Sequence, residues 1–318
     1  MSYCLRLAYP ANHGVLRSSG SDYNAYKKGI LMSSTVFRRT GPLKEIASYP
    51  QWLQDVVHET NPDKARVVNH PLFAKMREAT LPLPQMQKFL CGIWLTVERF
   101  PQFMAMNLQK LHVGDSVGAD MARSYLIQNI RVEQKHAAYW LAWAQASGLS
   151  LADLKIASNC FEEHALAHWC WYISSQPSLV VGIAATNYAV EGATGEWSNL
   201  VCSKDDYARS FPDSCRASAM RWLRVHAEYD DTHPWEALDI VATLMGHEPP
   251  RAEVDAIRTA VRTTFNYMEL GADAILRPSK SEITQLTLGS ILKSDDSRAL
   301  VPRRRNRKDD FGKPLQAS

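Results

Sequence analysis

The sequence predicts a single all-α domain. Apolar residues recur at helical spacing in one segment after another from Pro42 onward, and no segment alternates with the period of a strand. No linker or repeat breaks the stretch from position 40 to 280. The 318 residues suffice for one large domain, and 46% hydrophobic with 22% charged residues is ordinary globular composition.

The elements follow in order. A first helix is predicted over roughly Pro50 to Thr60, a short one over Leu72 to Ala79, and a third over roughly Pro84 to Leu111. In the third, Met86, Leu90, Ile93, Trp94 and Val97 keep to one face. Asp115 or Ser116 caps a long helix running to Ala146, where Gly148 supplies the stop. Leu151 to Ser174 reads as helical and rich in aromatics. Pro177 fits the first turn of a helix reaching Cys202, apolar nearly all round and therefore central. Helices over Asp213 to Thr232 and Pro234 to Met245 follow. Pro249-Pro250 then precede an amphipathic helix to Leu276.

Residues 1–38 lack helical periodicity and read as a poorly ordered leader, 39–277 as the helical domain, and 278–318 as a basic tail. Met32, just before periodicity begins, is a candidate translation start, with the residues before it added by gene calling.

Composition excludes several classes. A net charge of +3, with its only dense basic run at Arg303 to Lys308, gives no footprint for nucleic acid. The run Ser178 to Val190 is too short for a membrane span of ~20 residues, and no secretory signal opens the chain, so a cytoplasmic protein without stable membrane insertion is expected. The six cysteines form no CxxC pair and read as reduced thiols. GxGxxG, GxxxxGK[ST] and GxSxG are all absent.

Seven residues stand out: Glu98, Glu133, His136, Glu191, His226, Asp230 and His233. Glu133 lies in the series Leu126, Ile130, Glu133, Ala137, Trp140, Ala144, whose steps of 4, 3, 4, 3 and 4 keep one helical face. His136, three residues on, shares that face. Glu191 falls in the all-apolar helix with Val180, Ala184, Asn187 and Tyr188 on its side. Glu98 follows the Val97 stripe. His226, Asp230 and His233, at +4 and +7, make one stripe about two turns long. A lone buried Glu usually pairs with Arg or Lys, and Arg131, Lys135 and Arg224 are near in sequence. Four carboxylates beside neutral imidazoles carry a formal charge of −4, which two divalent cations would cancel. Carboxylate and imidazole ligands without thiolate suit iron or manganese, and a Glu-x-x-His pair facing a bundle core is a di-metal signature. The compact group Glu162, Glu163, His164 and His168 reads as structural, and Glu196, Glu228 and Asp231 point away from the predicted site. Trp94, Trp140, Trp169, Trp171, Tyr188 and Trp197 are candidates for an apolar pocket.

The order Glu, Glu-x-x-His, Glu, His-x-x-x-Asp-x-x-His resembles the haem-oxygenase-like diiron oxidases, relatives of thiaminase II and pyrroloquinoline quinone synthase. The runs Arg39 to Leu43, Asn129 to Glu133, His168 to Trp171, Ile183 to Ser198 and Asp230 to Leu238 are similar to members that make terminal alkenes from fatty acids. The resemblance implies a seven-helix haem-oxygenase-like bundle. It implies Fe(II), two per chain with the second labile, dioxygen as co-substrate, and an external electron donor. The reaction implied is oxidative decarboxylation of a medium-chain saturated fatty acid through β-hydrogen abstraction, such as dodecanoic acid to 1-undecene. Glu133, His136 and His226 are the implied catalytic ligands around the tighter iron. Asp230 and His233 serve the second iron, and Glu98 and Glu191 bridge or serve either. The alternatives are a related oxidase acting on an amino acid or small acid, and a metal-free binding protein on the same scaffold.

Overall fold

A computed structural model of the chain describes residues 45–156, 161–229 and 232–277, all within one of the two units into which the chain divides, Leu43–Ser318. The predicted leader, Met32, the basic tail, Asp230 and Asp231 lie outside the described residues. Every element among the described residues is helical.

Helix α1 (Gln51–Val68) outruns its prediction, passing through Pro62. Proline removes one donor from the helix, but tertiary contacts hold the last turns. Arg66 pairs with Glu269 at 3.0 Å, Asp63 pairs with Arg262 at 2.9 Å, and Val67 is buried. Helix α2 (Pro71–Arg77) is capped by His70, whose Nδ1 accepts the Leu72 N–H at 3.2 Å. Helix α3 (Leu83–Leu108) continues through Pro101. Ser116 caps α4 (Val117–Glu133) by accepting the Ala119 N–H at 3.1 Å.

The helix predicted to run unbroken to Ala146 stops at Glu133 and restarts as α5 (His136–Ala146). At the break the Lys135 N–H reaches back only three residues, to the Val132 carbonyl at 3.1 Å. Gly148, at φ 82°, ends this pair in the left-handed region, as its sequence position predicts. Helices α6 (Leu151–Ile156) and α7 (Phe161–Ser175) follow.

The single helix predicted from Pro177 to Cys202 is three segments: α8 (Leu179–Ile183), a π-helical stretch Ala184–Val190, and α9 (Glu191–Cys202). A short α10 (Asp206–Arg209) was not foreseen. The helix predicted over Asp213 to Thr232 is α11 (Asp213–Ala219) and α12 (Arg221–Tyr229). His233 opens α13 (His233–Met245), so His226 and His233 sit on different helices and not on one continuous stripe. Helix α14 (Arg251–Leu276) ends the described chain close to prediction.

Residues 180–191 are buried without interruption, so the π stretch is central, as an all-apolar helix should be. Helices α13 and α14 pack on it, α14 also on α1 and α7, and α12 on α9. The buried side chains form two clusters. One joins α1, α7, α13 and α14 to the π stretch; the other holds Phe89, Trp140, Trp143, Trp197 and Trp222. No helix among the described residues is long and apolar enough to cross a membrane.

Helices α3 and α7 meet at Gly92, where an added Cβ would stand 2.5 Å from the Glu163 Cβ. Overpacking of that kind costs roughly 1–3 kcal/mol. Gly92→Ala should therefore lower the thermal midpoint, read by differential scanning calorimetry, and an unchanged midpoint would show that this helix pair is looser than described.

Candidate metal centre

The breaks in the helices are where the site is built. Glu133 is the last residue of α4 and His136 the first of α5, and His226 projects from α12; they are 5%, 3% and 6% exposed. One ligand atom from each lies within 4.8 Å of the others. His136 Nδ1 donates to Glu133 Oε2 at 2.6 Å, and the His136 and His226 ring centres are 4.5 Å apart. His226 Nδ1 lies 2.8 Å from the Trp222 carbonyl, which can only accept. The proton therefore sits on Nδ1, and Nε2 carries the lone pair, the arrangement typical of a metal-bound imidazole. The Trp222 ring stacks on His226 at 3.8 Å.

A second pair adjoins the first. Glu191 Oε2 accepts from His233 Nδ1 at 3.0 Å, and Glu191 Oε1 accepts from Asn187 Nδ2 at 2.6 Å. Asn187 is one turn before Glu191, on the π stretch.

Burial dominates the electrostatics. It opposes ionisation of Glu133, but the charge and hydrogen bond of His136 outweigh it and hold the carboxyl below its ordinary value. Burial pushes Glu191 up, and His233 only partly offsets this. His233 is raised against its own burial by the hydrogen bond and charge of Glu191, so the two titrate as a pair. Burial and the neighbouring His136 push His226 down to about 3, leaving it neutral.

This donor set fits a divalent cation. His136 Nε2 is buried with no partner among the described residues, and His226 offers a lone pair. Oxygen and nitrogen donors without a thiolate suit iron or manganese. Glu133, His136 and His226 would hold the ion, with Glu191 and His233 beside them.

Of the seven predicted ligands the structure thus gathers three into one cluster and sets Glu191 and His233 next to each other. Asp230 lies outside the described residues. Glu98 is not brought to the cluster: its side chain is 35% exposed with a carboxylate oxygen 3.7 Å from Arg99 Nε. Thr96, Val97 and Phe100 take the inward direction of α3 in its place. The buried carboxylates among the described ligands are therefore Glu133 and Glu191, a formal charge of −2 and not the −4 of the full set.

A cavity of about 740 Å³, part of it open to solvent, reaches these residues where the two hydrophobic clusters meet. Among the described residues its wall is apolar apart from Glu133, His136, Glu191, His226, Thr96 and Thr194, and no Lys, Arg or Cys lines it. Of the six predicted pocket aromatics only Trp197 lines it, and Trp171 is 47% exposed. Trp222 was missed, although its position one turn before His226 was a readable signal. Glu163 pairs with Lys88 at 3.1 Å and Glu162 with Arg277 at 2.8 Å, which accounts for that cluster structurally. Glu196 and Glu228 are exposed, as predicted.

The chain matches the family described as iron-containing redox enzyme over residues 87–266. A TenA homologue from Pseudomonas syringae pv. tomato str. DC3000 is similar at 48% identity, over 76% of this chain and 98% of that one, with a TM-score of 0.73. A TenA homologue from Pyrococcus furiosus is 16% identical over 70% and 99% of the two chains, TM-score 0.57. A domain with a haem-oxygenase-like fold from Shewanella denitrificans OS217 is 13% identical over 74% and 92%, TM-score 0.55. The two distant structures speak to fold alone, and the fold is haem-oxygenase-like. No curated protein matches the chain.

Two outcomes follow. Anaerobic titration with Fe(II) should show Glu133→Gln and His226→Ala each weakening binding at least about tenfold, equivalent to ~1.4 kcal/mol; wild-type affinity in both would remove the centre. Metal-free protein should also lose stability as pH falls from 6.5 toward about 3, because the unfolded His226 takes up a proton at its ordinary value and the folded one does not until far lower. Urea melts at pH 7 and pH 5 should show a smaller loss for His226→Gln than for wild type.

Proposed function

Because the chain belongs to the iron-containing redox enzymes, we propose that it is an oxygen-dependent fatty acid decarboxylase of the type of UndA, the 1-undecene-forming enzyme its ligand stretches resemble. The observation that carries this is the cavity wall. A pocket whose lining, among the described residues, lacks Lys and Arg and is otherwise almost wholly apolar suits a long alkyl chain ending at the metal ligands. A small polar acid would leave most of that apolar wall uncovered, which argues against the related-oxidase alternative.

The reaction balances. Removing two hydrogens and carbon dioxide from a saturated acid releases two electrons and leaves a terminal alkene. Dioxygen takes up four electrons on reduction to two waters, so an external donor supplies the other two. Bound Fe(II) supplies the dioxygen activation. The chain's own residues do the remainder. Glu133, His136 and His226 would hold the tighter iron as its catalytic ligands. His233 and Asp230 would serve a second, labile iron, with Glu191 beside them, whereas Glu98, turned outward beside Arg99, would serve neither. Glu191 and His233, hydrogen-bonded at 3.0 Å, can pass a proton between them beside the reacting group. The apolar wall keeps bulk water from the site, which strengthens the interactions within it.

Purified protein supplied with Fe(II), a reductant, air and dodecanoic acid should release 1-undecene, detected by headspace gas chromatography. Glu133→Ala should release none. The absence of alkene from every saturated medium-chain acid would end the decarboxylase reading, and fewer than one Fe(II) bound per chain would favour the metal-free binding protein.

A further inference from the structure

The cavity wall contains hydrogen-bond donors that the protein itself leaves unused. Thr96 on α3 is 4% exposed, and its hydroxyl has no partner among the described residues. Other helical threonines in this molecule behave differently: Thr60, Thr186, Thr243, Thr263 and Thr264 each donate to the carbonyl one turn back. Trp222 on α12 is 3% exposed, and its indole N–H also lacks a partner among the described residues. Trp52, Trp140, Trp143 and Trp169 all donate theirs, at 2.8 to 3.0 Å; Trp94, outside the cavity wall, is the other buried indole without a partner among the described residues. The Thr96 hydroxyl and the Trp222 N–H both belong to residues of the wall that also carries Glu133, His136 and His226. An unpaired buried donor costs roughly 1–3 kcal/mol, and two in one wall ask for an acceptor from outside the protein.

The neighbouring groups define that acceptor. The imidazole N–H groups are already committed, His136 to Glu133 and His226 to the Trp222 carbonyl. Glu133 can only accept while ionised, and the Nε2 lone pairs of both imidazoles can only accept. The group that pairs with Thr96 and Trp222 must itself accept, and a carboxylate does so without bringing a competing donor. With no Lys or Arg among the described residues of the lining, the neutral donors there are the groups placed to orient it.

We propose that Thr96 and Trp222 form a headgroup subsite that positions a substrate carboxylate against the Glu133, His136 and His226 cluster. This rests on the fatty acid reading above. The two residues are positioning residues: they fix which end of the alkyl chain meets the metal ligands and which carbon stands next to them.

The test is calorimetric binding of dodecanoate and of its methyl ester to anaerobic, Fe(II)-loaded protein, with iron content measured for each variant. Thr96→Val keeps the shape of the side chain and removes the hydroxyl; Trp222→Phe keeps a ring and removes the N–H. Each should weaken dodecanoate about tenfold, the loss of one hydrogen bond to a charged group, with the ester changed less than twofold and iron content unchanged. Thr96→Ser should restore the affinity. Dodecanoate binding equal to wild type in both variants, or equal losses for acid and ester, would overturn the subsite while leaving the substrate reading intact. Wild-type protein that binds no dodecanoate would overturn the substrate reading itself, and the subsite with it.

Discussion

A carboxylate buried to 5% exposure must have hydrogen-bonding or cationic partners, and around Glu133 that need organises the surrounding structure. Removing such a group from water costs several kcal/mol even after relaxation. The protein supplies His136 at 2.6 Å and brings His226 within reach, from helices that end or begin at the site. The stop of α4 at Glu133 and the restart of α5 at His136 put the two side chains at the two ends of one turn, where each can bend toward the other. The two remain i, i+3 neighbours across the break.

The second pair is held by a different irregularity. The π stretch Ala184–Val190 places one extra residue in each hydrogen-bonded turn, so faces drawn with α-helical spacing drift across it. Upstream of Glu191 only Val190 reaches the cavity, whereas Thr194 and Trp197 downstream keep ordinary spacing and do reach it. Val180 and Ala184, assigned to the side of Glu191 by α periodicity, are absent from its lining. Asn187 keeps its place because a hydrogen bond at 2.6 Å ties it to Glu191. Irregular helix next to polar, buried ligands is a recurring association, and here it sits in the most deeply buried part of the chain.

These particulars explain what was legible in the sequence. The inward placement of Glu133 could be read because five successive steps of three and four carry it along one apolar face, and the buried Leu126, Trp140 and Ala144 agree. Fold class was legible for the same reason. Glu98 shows the limit of the method. It adjoins Val97 in sequence, but neighbouring residues point 100° apart on a helix, and Thr96, Val97 and Phe100 already fill the inward arc. The helix breaks at 134–135 and at Met220 have no proline or glycine to announce them, and no local composition marks a π stretch. Tertiary packing sets those features, and a periodicity argument cannot see it.

The same packing explains why the cavity exists where it does. Two hydrophobic clusters, each filled by its own large side chains, meet along a seam that contains the ligands. Stacked and edge-on aromatics, Phe73 on Trp197 at 4.4 Å and Trp140 on Trp222 at 4.7 Å, make one side of the seam stiff. Trp222 links that wall to the chemistry, because it stacks on His226 and also fixes its tautomer through the backbone carbonyl. A change in how the wall packs would therefore alter the orientation of a metal ligand. Pocket shape and ligand geometry are not independent in this protein: a substitution at Trp222 that removes the ring from His226 acts on the metal centre, whereas Phe keeps a ring on the imidazole and leaves the backbone carbonyl in place.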